Sequence, residues 1–279
     1  MLCFPNAKIN IGLNVISKRS DGYHNIETIF CPIDLSDILE FVLLPGVPAG
    51  HYAFTSTGIG IEGPVGNNLC IKAYLLLSRD FDLPAVDIHL HKIIPIGAGI
   101  GGGSSDAAFM LKSLNQQFGL NLDDTRLCDY ASVLGSDCTF FIKNRPLLGY
   151  EKGNRFKEVP LFPESLEIVL VNPGIHISTS EAYSGILPGR PLRPLEELIM
   201  LPIEQWRDNI INDFESNIIT KYPVIGEIKA KLYAQGAIYV SMSGSGSSVY
   251  GLFSGRAPGM VQQYPDFFCW SGPLAIKNS

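Results

Sequence analysis

Charge is scarce in this 279-residue chain: Asp, Glu, Lys and Arg together make up 17%, and their balance is a formal −6. A chain so sparing of positive charge is no general nucleic-acid binder, although a local basic site for one anion stays open. Disorder is excluded by the opposite property, because hydrophobic residues reach 46% and can fill a substantial core. No apolar stretch approaches the roughly 20 residues that span a bilayer. The opening MLCFPNAKIN has no basic region followed by a long apolar one, so no signal peptide is expected. The cysteines at 3, 31, 70, 128, 138 and 269 form no CxxC and no Cys/His cluster at metal spacing. They read as reduced thiols, and the protein is expected to be soluble and cytoplasmic.

What the chain does have is regular patterning. AKINIGLNV (7–15) alternates, with Ala7, Ile9, Ile11, Leu13 and Val15 on one side and Lys8, Asn10, Gly12 and Asn14 on the other. That is a strand with one buried face, on which Lys8 and Asn10 project side by side. A Ser-Asp-Gly turn near 20–22 leads to a second strand, and 37–44 and 85–92 read as further strands. Residues 66–81 read as a helix capped by an Asn pair, 104–118 as an amphipathic helix with serines at its start, and 124–135 as another helix. CTFFI (138–142) is expected to be a strand, as is 166–174. The Pro-rich 188–202 reads as connecting structure, 203–219 and 223–235 as helices, and 237–253 as strand, Gly/Ser turn and strand. Strands and helices mix without strict alternation, which favours an α+β protein. Two domains, 1–150 and 151–279, are expected.

The densest signal is PIGAGIGGGSSDAA (95–108), in which five of the seven residues 97–103 are glycine. It lies between an alternating strand and an amphipathic helix. A flexible linker would carry no helix fixed to its end. Glycines let the backbone approach a ligand and reach left-handed φ, and a helix start offers unpaired N–H groups. Together they form an anion site suited to phosphates. No Lys follows the glycines, so this is not a GxxxxGK[ST] loop. GAGIGG fits the letters GxGxxG, but helix continues where a second strand would carry the acidic ribose partner about 20 residues on. A carboxylate at Asp106 would repel a polyphosphate, so it should point away or meet the phosphates through Mg²⁺. His89 and His91 share a strand face, but no third ligand follows at useful spacing, so no metal site is expected there.

Three stretches then agree with one family. PIGAGIGGGSSDAA resembles the central motif of the GHMP kinases, the group of galactokinase, homoserine kinase and mevalonate kinase. SMSGSGSSVYGLF (241–253) resembles their C-terminal glycine motif, and NAKINIGLNV (6–15) their N-terminal one. Order and spacing agree over nearly the whole chain, weakly at the C-terminus. Within the family, AKINIGLNVISKRSDGYHNIETIF, GGGSSDAA and LGSDCTFF resemble the branch that phosphorylates 4-diphosphocytidyl-2-C-methyl-D-erythritol, in the non-mevalonate route to isoprenoid precursors. DGYH is the most specific of these signals.

The resemblance implies a two-domain α+β fold, like domain 2 of ribosomal protein S5 in its N-terminal part and ferredoxin-like in its C-terminal part. It places the active site in the cleft between them and makes ATP and Mg²⁺ the cofactors. Asp137 is then the base that takes the proton of a tertiary hydroxyl. Lys8 keeps that carboxylate ionised and stabilises the moving phosphoryl group, and Asn10 binds substrate oxygens. Tyr23 offers a face to cytosine, His24 bonds its edge, and Thr179 and Tyr183 line the same slot, with Tyr183 closing a sandwich. On the ATP side stand Asn68, Pro95, Gly97, Gly99, Gly101, Gly102, Gly103, Ser104 and Ser105. Ser243–Ser248 should pack beside the first glycine run. Ala98 departs from a position often held by Gly, and 174–183 matches loosely. Two alternatives stay open, another GHMP kinase such as homoserine kinase and a non-catalytic nucleotide-binding regulator. A monomer or weak homodimer is expected.

Overall fold

The computed structural model describes residues 1–159, 166–255, 257 and 263–274. Its packing forms two compact units that are not contiguous in sequence. The first comprises Met1–Ala7, Leu35–Ile96 and Gly101–Asn144; the second comprises Lys8–Asp34, Gly97–Ile100 and the described part of Arg145–Ser279. Strand and helix mix in both, as an α+β protein requires.

In chain order the elements begin with β1 (Leu2–Cys3), β2 (Asn6–Lys18), β3 (His24–Ser36), β4 (Ile38–Leu43), β5 (Tyr52–Gly58), α1 (Leu69–Leu77) and β6 (Val86–Lys92). Then come α2 (Gly102–Gln117), α3 (Asp124–Leu134), α4 (Cys138–Lys143), β7 (Leu147–Tyr150), β8 (Arg155–Glu158), β9 (Leu166–Asn172) and α5 (Thr179–Tyr183). The chain continues with α6 (Leu195–Leu198), α7 (Trp206–Asn209), α8 (Glu215–Lys221), α9 (Pro223–Ala234), β10 (Tyr239–Met242), β11 (Val249–Phe253) and β12 (Phe268–Leu274).

In the first unit a sheet of order β1-β4-β6-β5 is antiparallel except for the parallel β5–β6 pair. Helices α1 to α4 pack on one another, and Phe118 after α2 reaches Phe41 of β4 at 6.3 Å between ring centroids. The alternation in β6 is borne out: Val86, Ile88 and Leu90 are buried, Asp87, His89 and His91 only partly. CTFFI is a helix rather than a strand, with Cys138 to Ile142 all buried. A short, mostly apolar run has no period to separate the two states. The helix ends because Asn144 turns left-handed, and its side chain exchanges hydrogen bonds with that of Asn6 at 2.8 and 3.2 Å.

In the second unit β2 and β3 join β7 and β8 in one sheet, and the other has the order β10-β11-β9-β12, antiparallel throughout. The expected helix 203–219 is broken into α7 and α8. Between them the chain runs extended along β2: Leu13 N–H donates to Ile211 O and Asp213 N–H to Leu13 O, both at 2.9 Å. Strand-like pairing thus wins over helical continuity. It also explains why β2 is buried on both faces rather than one. A Cβ at Gly12 would meet Ile210 and Leu195 at 2.8 Å, so those side chains cover the polar face.

The six cysteines are free, and burial raises the Cys31 and Cys138 thiols to about 12. No described helix is long and apolar enough to cross a membrane.

Candidate active site

Lys8 and Asn10 share a face of β2 because strand side chains alternate. Both are only 3% exposed, which excludes a solvated lysine. A buried ammonium needs acceptors. Lys8 Nζ donates to Asn10 Oδ1 at 2.5 Å and to the Gly99 carbonyl at 3.1 Å, and it lies 5.3 Å from the Phe30 ring centroid. Asn10 is held in turn: its Nδ2 donates to Thr28 Oγ1 at 3.0 Å, and that hydroxyl donates to the Gly12 carbonyl at 2.5 Å. Thr28 carried no sequence signal of this role.

Gly97–Ile100 lies in the same unit and runs against the second glycine motif. Ser243 Oγ donates to the Gly99 carbonyl at 2.9 Å and accepts the Asn10 N–H at 3.2 Å. Ser248 N–H donates to Ala98 O at 3.2 Å. Gly99 has φ +77°, and a Cβ there would fall 2.2 Å from the Ser243 carbonyl. Close backbone approach and a left-handed φ together require glycine. The 243–248 turn therefore packs beside the first glycine run, as expected, and is more than a link between β10 and β11. Gly97, φ +66°, lets the imidazole of His176 in: a Cβ would sit 2.7 Å from His176 Nδ1. His176 is exposed and was not singled out from the sequence, although it stands in the quoted segment 174–183.

The first unit holds the remaining residues expected on the nucleotide side. Gly101 occupies the position before α2 with φ +74° and no side-chain cap, so the expected Ser cap is replaced by a left-handed glycine. The first-turn N–H groups of this 16-residue helix are left for an anion. Gly103 is exposed, Gly102 packs on Ile94, and Ser104 is half-buried beside the Cys138 thiol. Ser105 is fully buried, so of the two hydroxyls Ser104 is the one nearer the surface. Asn68 caps α1, its Oδ1 accepting the Cys70 N–H at 2.8 Å, and Pro95 is half-buried. Asp137 stands half-buried at the start of α4 with αR backbone and no capping bond from its carboxylate, so it is not spent as a helix cap.

Asp106 turns away from the helix start. It is 3% exposed, and its Oδ2 accepts from Lys92 Nζ at 2.9 Å. Burial raises its carboxyl to about 7, Lys92 opposing the shift and Asp37 adding to it. Lys92 also donates to Asp37, whose Oδ1 accepts the N–H groups of Ile93 at 2.6 Å and Ile94 at 2.9 Å. Burial alone would lower the Lys92 ammonium, but Asp106 and Asp37 outweigh it and raise it.

The residues carried over for cytosine all lie in the second unit. Tyr23 is 59% exposed, with Lys152 Nζ 4.8 Å from its ring centroid. The rings of His24 and Tyr183 stack on each other, 4.4 Å between centroids and 13° apart, and Tyr183 meets Phe214 edge-on at 4.8 Å. Tyr183 therefore backs His24 in this conformation rather than facing a base across a sandwich. Thr179 is exposed at the start of α5, two residues from the Glu181–Lys221 pair. His89 and His91 both meet the Thr57 hydroxyl, at 3.0 and 2.8 Å, and among the described residues no group of three or more His, Cys, Asp or Glu could hold a metal ion.

Comparison with known proteins places the chain in a family. Residues 68–144 match the GHMP kinases N terminal domain and residues 195–268 the GHMP kinases C terminal model. The 4-diphosphocytidyl-2-C-methyl-D-erythritol kinase of Bacteroides fragilis is 49% identical over 274 residues, covering 98% of this chain and 100% of that protein. A crystal structure of 4-(cytidine 5'-diphospho)-2C-methyl-D-erythritol kinase superposes with a TM-score of 0.80 at 31% identity, covering 98% of each chain. Homoserine kinase from Cytophaga hutchinsonii superposes at 0.64 with 16% identity over 98% of this chain and 95% of its own, which is a likeness of fold alone.

Proposed function

The chain belongs to the GHMP kinases, which take phosphate from ATP, and on that footing we propose that it transfers the γ-phosphoryl group to the 2-hydroxyl of 4-diphosphocytidyl-2-C-methyl-D-erythritol. The observation that carries the kinase reading is the buried Lys8, bonded both to Asn10 and to the carbonyl of Gly99 in the glycine segment. Burying an ammonium against a glycine backbone is costly for a fold and useful for a phosphoryl group. The substrate follows from the full-length relatives, whose names carry it, together with DGYH at 21–24.

Phosphoryl transfer asks the protein mainly for position and charge. The open first turn of α2 and the glycines before it would hold the ATP phosphates, with Asn68 and Pro95 toward the nucleoside. Asp137 would take the proton of the tertiary hydroxyl, Lys8 would offset charge on the moving group, and Asn10 would hold acceptor oxygens. His24 and Tyr23 would hold the cytosine, with Thr179 and Tyr183 behind them. Mg²⁺ usually takes one or two protein oxygens and the rest from phosphates and water. The described residues fit that sparse role, offering no metal cage and a half-buried Ser104 hydroxyl at the helix start. When bound, the ion neutralises the β- and γ-phosphates. The two family domains are proposed to divide near residue 150.

The test is ADP release from purified protein with ATP and Mg²⁺, offered 4-diphosphocytidyl-2-C-methyl-D-erythritol, homoserine, mevalonate or galactose. Turnover with the cytidylyl compound alone is expected. Turnover with another alcohol keeps the fold and discards the cytosine slot, and nucleotide binding without any turnover leaves a regulator.

A further inference from the structure

The chain leaves the first unit after Ile96 and returns to it at Gly101, and one buried ion network of that unit lies close to both ends of the segment Pro95–Gly101. At its entry, Asp37 Oδ1 accepts two consecutive backbone N–H groups, those of Ile93 and Ile94, just before Pro95. Beyond its exit, Asp106 stands in the first half of α2. Lys92 Nζ donates to both carboxylates. The three side chains are 0 to 4% exposed. One ammonium therefore ties the strand that delivers the glycines to the helix that receives them.

Such a network is weak evidence for a contribution to stability. Buried ion pairs are often replaceable by apolar residues of similar volume at no loss, and what they supply is a fixed geometry. This one is also incompletely satisfied: Asp106 Oδ1 and the neighbouring Ser105 Oγ are buried with no hydrogen-bond partner among the described residues. A buried polar group without a partner is expensive and calls for an explanation. Steric fit points the same way. A Cβ at Gly102 would fall 2.8 Å from the Ile94 side chain and 3.2 Å from Lys92 Nζ, so entry and exit are pressed together at glycine distance.

We propose that Asp37, Lys92 and Asp106 form a clamp that sets the spacing between the two ends of the glycine segment, making them positioning residues for the nucleotide phosphates. The inference rests on the ATP reading of that segment. The clamp touches no phosphate. It decides how Gly101 and the first turn of α2 present their N–H groups to an anion. Loss of one arm is expected to misalign the cradle, and a misplacement on the order of 1 Å costs up to about a hundredfold in a positioned site.

The experiment compares Asp106→Leu with Asp106→Asn in the full chain. Leu is close in shape and breaks the arm to Lys92, which keeps Asp37 as its partner; Asn still offers Lys92 an acceptor oxygen. Titration calorimetry with Mg·ADP reads binding without turnover, and steady-state kinetics read both substrates. Asp106→Leu is expected to weaken Mg·ADP and raise KM for ATP by about tenfold to a hundredfold, with KM for the cytidylyl substrate little changed. Asp106→Asn is expected to recover most of the loss. Wild-type nucleotide affinity in a folded Asp106→Leu overturns the clamp, and so does an equal rise in both KM values. If Asp106→Leu does not fold, the neutral triple variant Asp37→Asn/Lys92→Met/Asp106→Asn is measured in the same way, and unchanged Mg·ADP affinity in it overturns the clamp. A wild-type protein that binds no Mg·ADP overturns the ATP reading and the clamp with it, and that result needs no variant.

Discussion

Replacing Gly99 by Ala adds one methyl group at the place where the two glycine motifs meet. The new Cβ would fall 2.2 Å from the Ser243 carbonyl, 2.9 Å from that of Gly246 and 3.1 Å from the Gly246 nitrogen. All three are backbone atoms, so no side chain can swing away. The φ of +77° adds a second cost, since a left-handed Ala is disfavoured by about 1–2 kcal/mol. Forcing extra volume into a packed site typically costs about 1–3 kcal/mol. Together the substitution carries about 2–5 kcal/mol of strain. The chain can relieve it only by moving 97–100 away from 243–246, which loosens the bonds that Lys8 and Ser243 make to the Gly99 carbonyl. At about 1.4 kcal/mol per tenfold, even the lower figure is roughly thirtyfold in affinity if it falls on nucleotide binding. Calorimetry with Mg·ATP should therefore show a loss of that order, smaller to the extent that the strain falls on the fold and lowers Tm instead. Gly103→Ala is the matched comparison for stability. Its Cβ would touch only Leu69 Cδ1 at 3.7 Å inside α2, so Tm should rise, in line with the 0.5–1 kcal/mol or so by which Ala exceeds Gly in a helix. A Gly99→Ala protein with unchanged Tm and unchanged nucleotide affinity would refute this reasoning.

Asp137→Asn should lower kcat by about 10²–10⁴ while Mg·ATP still binds, because only the proton acceptor is lost; near-normal turnover in a rapid-quench assay removes Asp137 from the role of base. His24→Ala gives up the stack on Tyr183, worth about 0.5–1.5 kcal/mol, and the proposed bond to cytosine. It should raise KM for the cytidylyl substrate and spare that for ATP, and an unchanged KM sinks the cytosine assignment. The folded Asp106 carboxyl is raised to about 7, against about 3.9 in an unfolded chain. The folded protein thus holds a proton that the unfolded chain has lost, and this group's contribution is complete below about pH 4 and lost as pH climbs through about 7. Denaturant melts across that window should show the stability of wild type relative to Asp106→Asn falling with pH; a flat difference contradicts the shift.

The parts of the site that could be read from sequence are those whose cause is local. Alternation alone put Lys8 and Asn10 on one face, and five glycines before a helix pointed to an anion site. Partners distant in sequence were hidden. The cover on the polar face of β2 comes from Leu195 and Ile210, and Asp37 stands 55 residues from Lys92 with nothing in its surroundings to announce a network. CTFFI is a helix where a strand is expected because so short and mostly apolar a run carries no period. Strands β5, β7, β8 and β12 were missed because they are short or lie at the edge of a sheet, where half the side chains face water and the hydrophobic pattern fades. Tyr183 lies against His24, and which ring it stacks on is a matter of packing that a sequence does not contain.

Proton-coupled phosphorus NMR of the product bears on the acceptor itself. A phosphate on the tertiary 2-hydroxyl has no hydrogen on the carbon that bears the ester oxygen. Incubating the protein with ATP, Mg²⁺ and 4-diphosphocytidyl-2-C-methyl-D-erythritol should therefore give a new phosphomonoester resonance without three-bond splitting, in step with ADP. A new resonance split by carbinol hydrogens would place the phosphate on a primary or secondary hydroxyl. That result, or ADP formed with no new phosphomonoester, would contradict the proposed reaction.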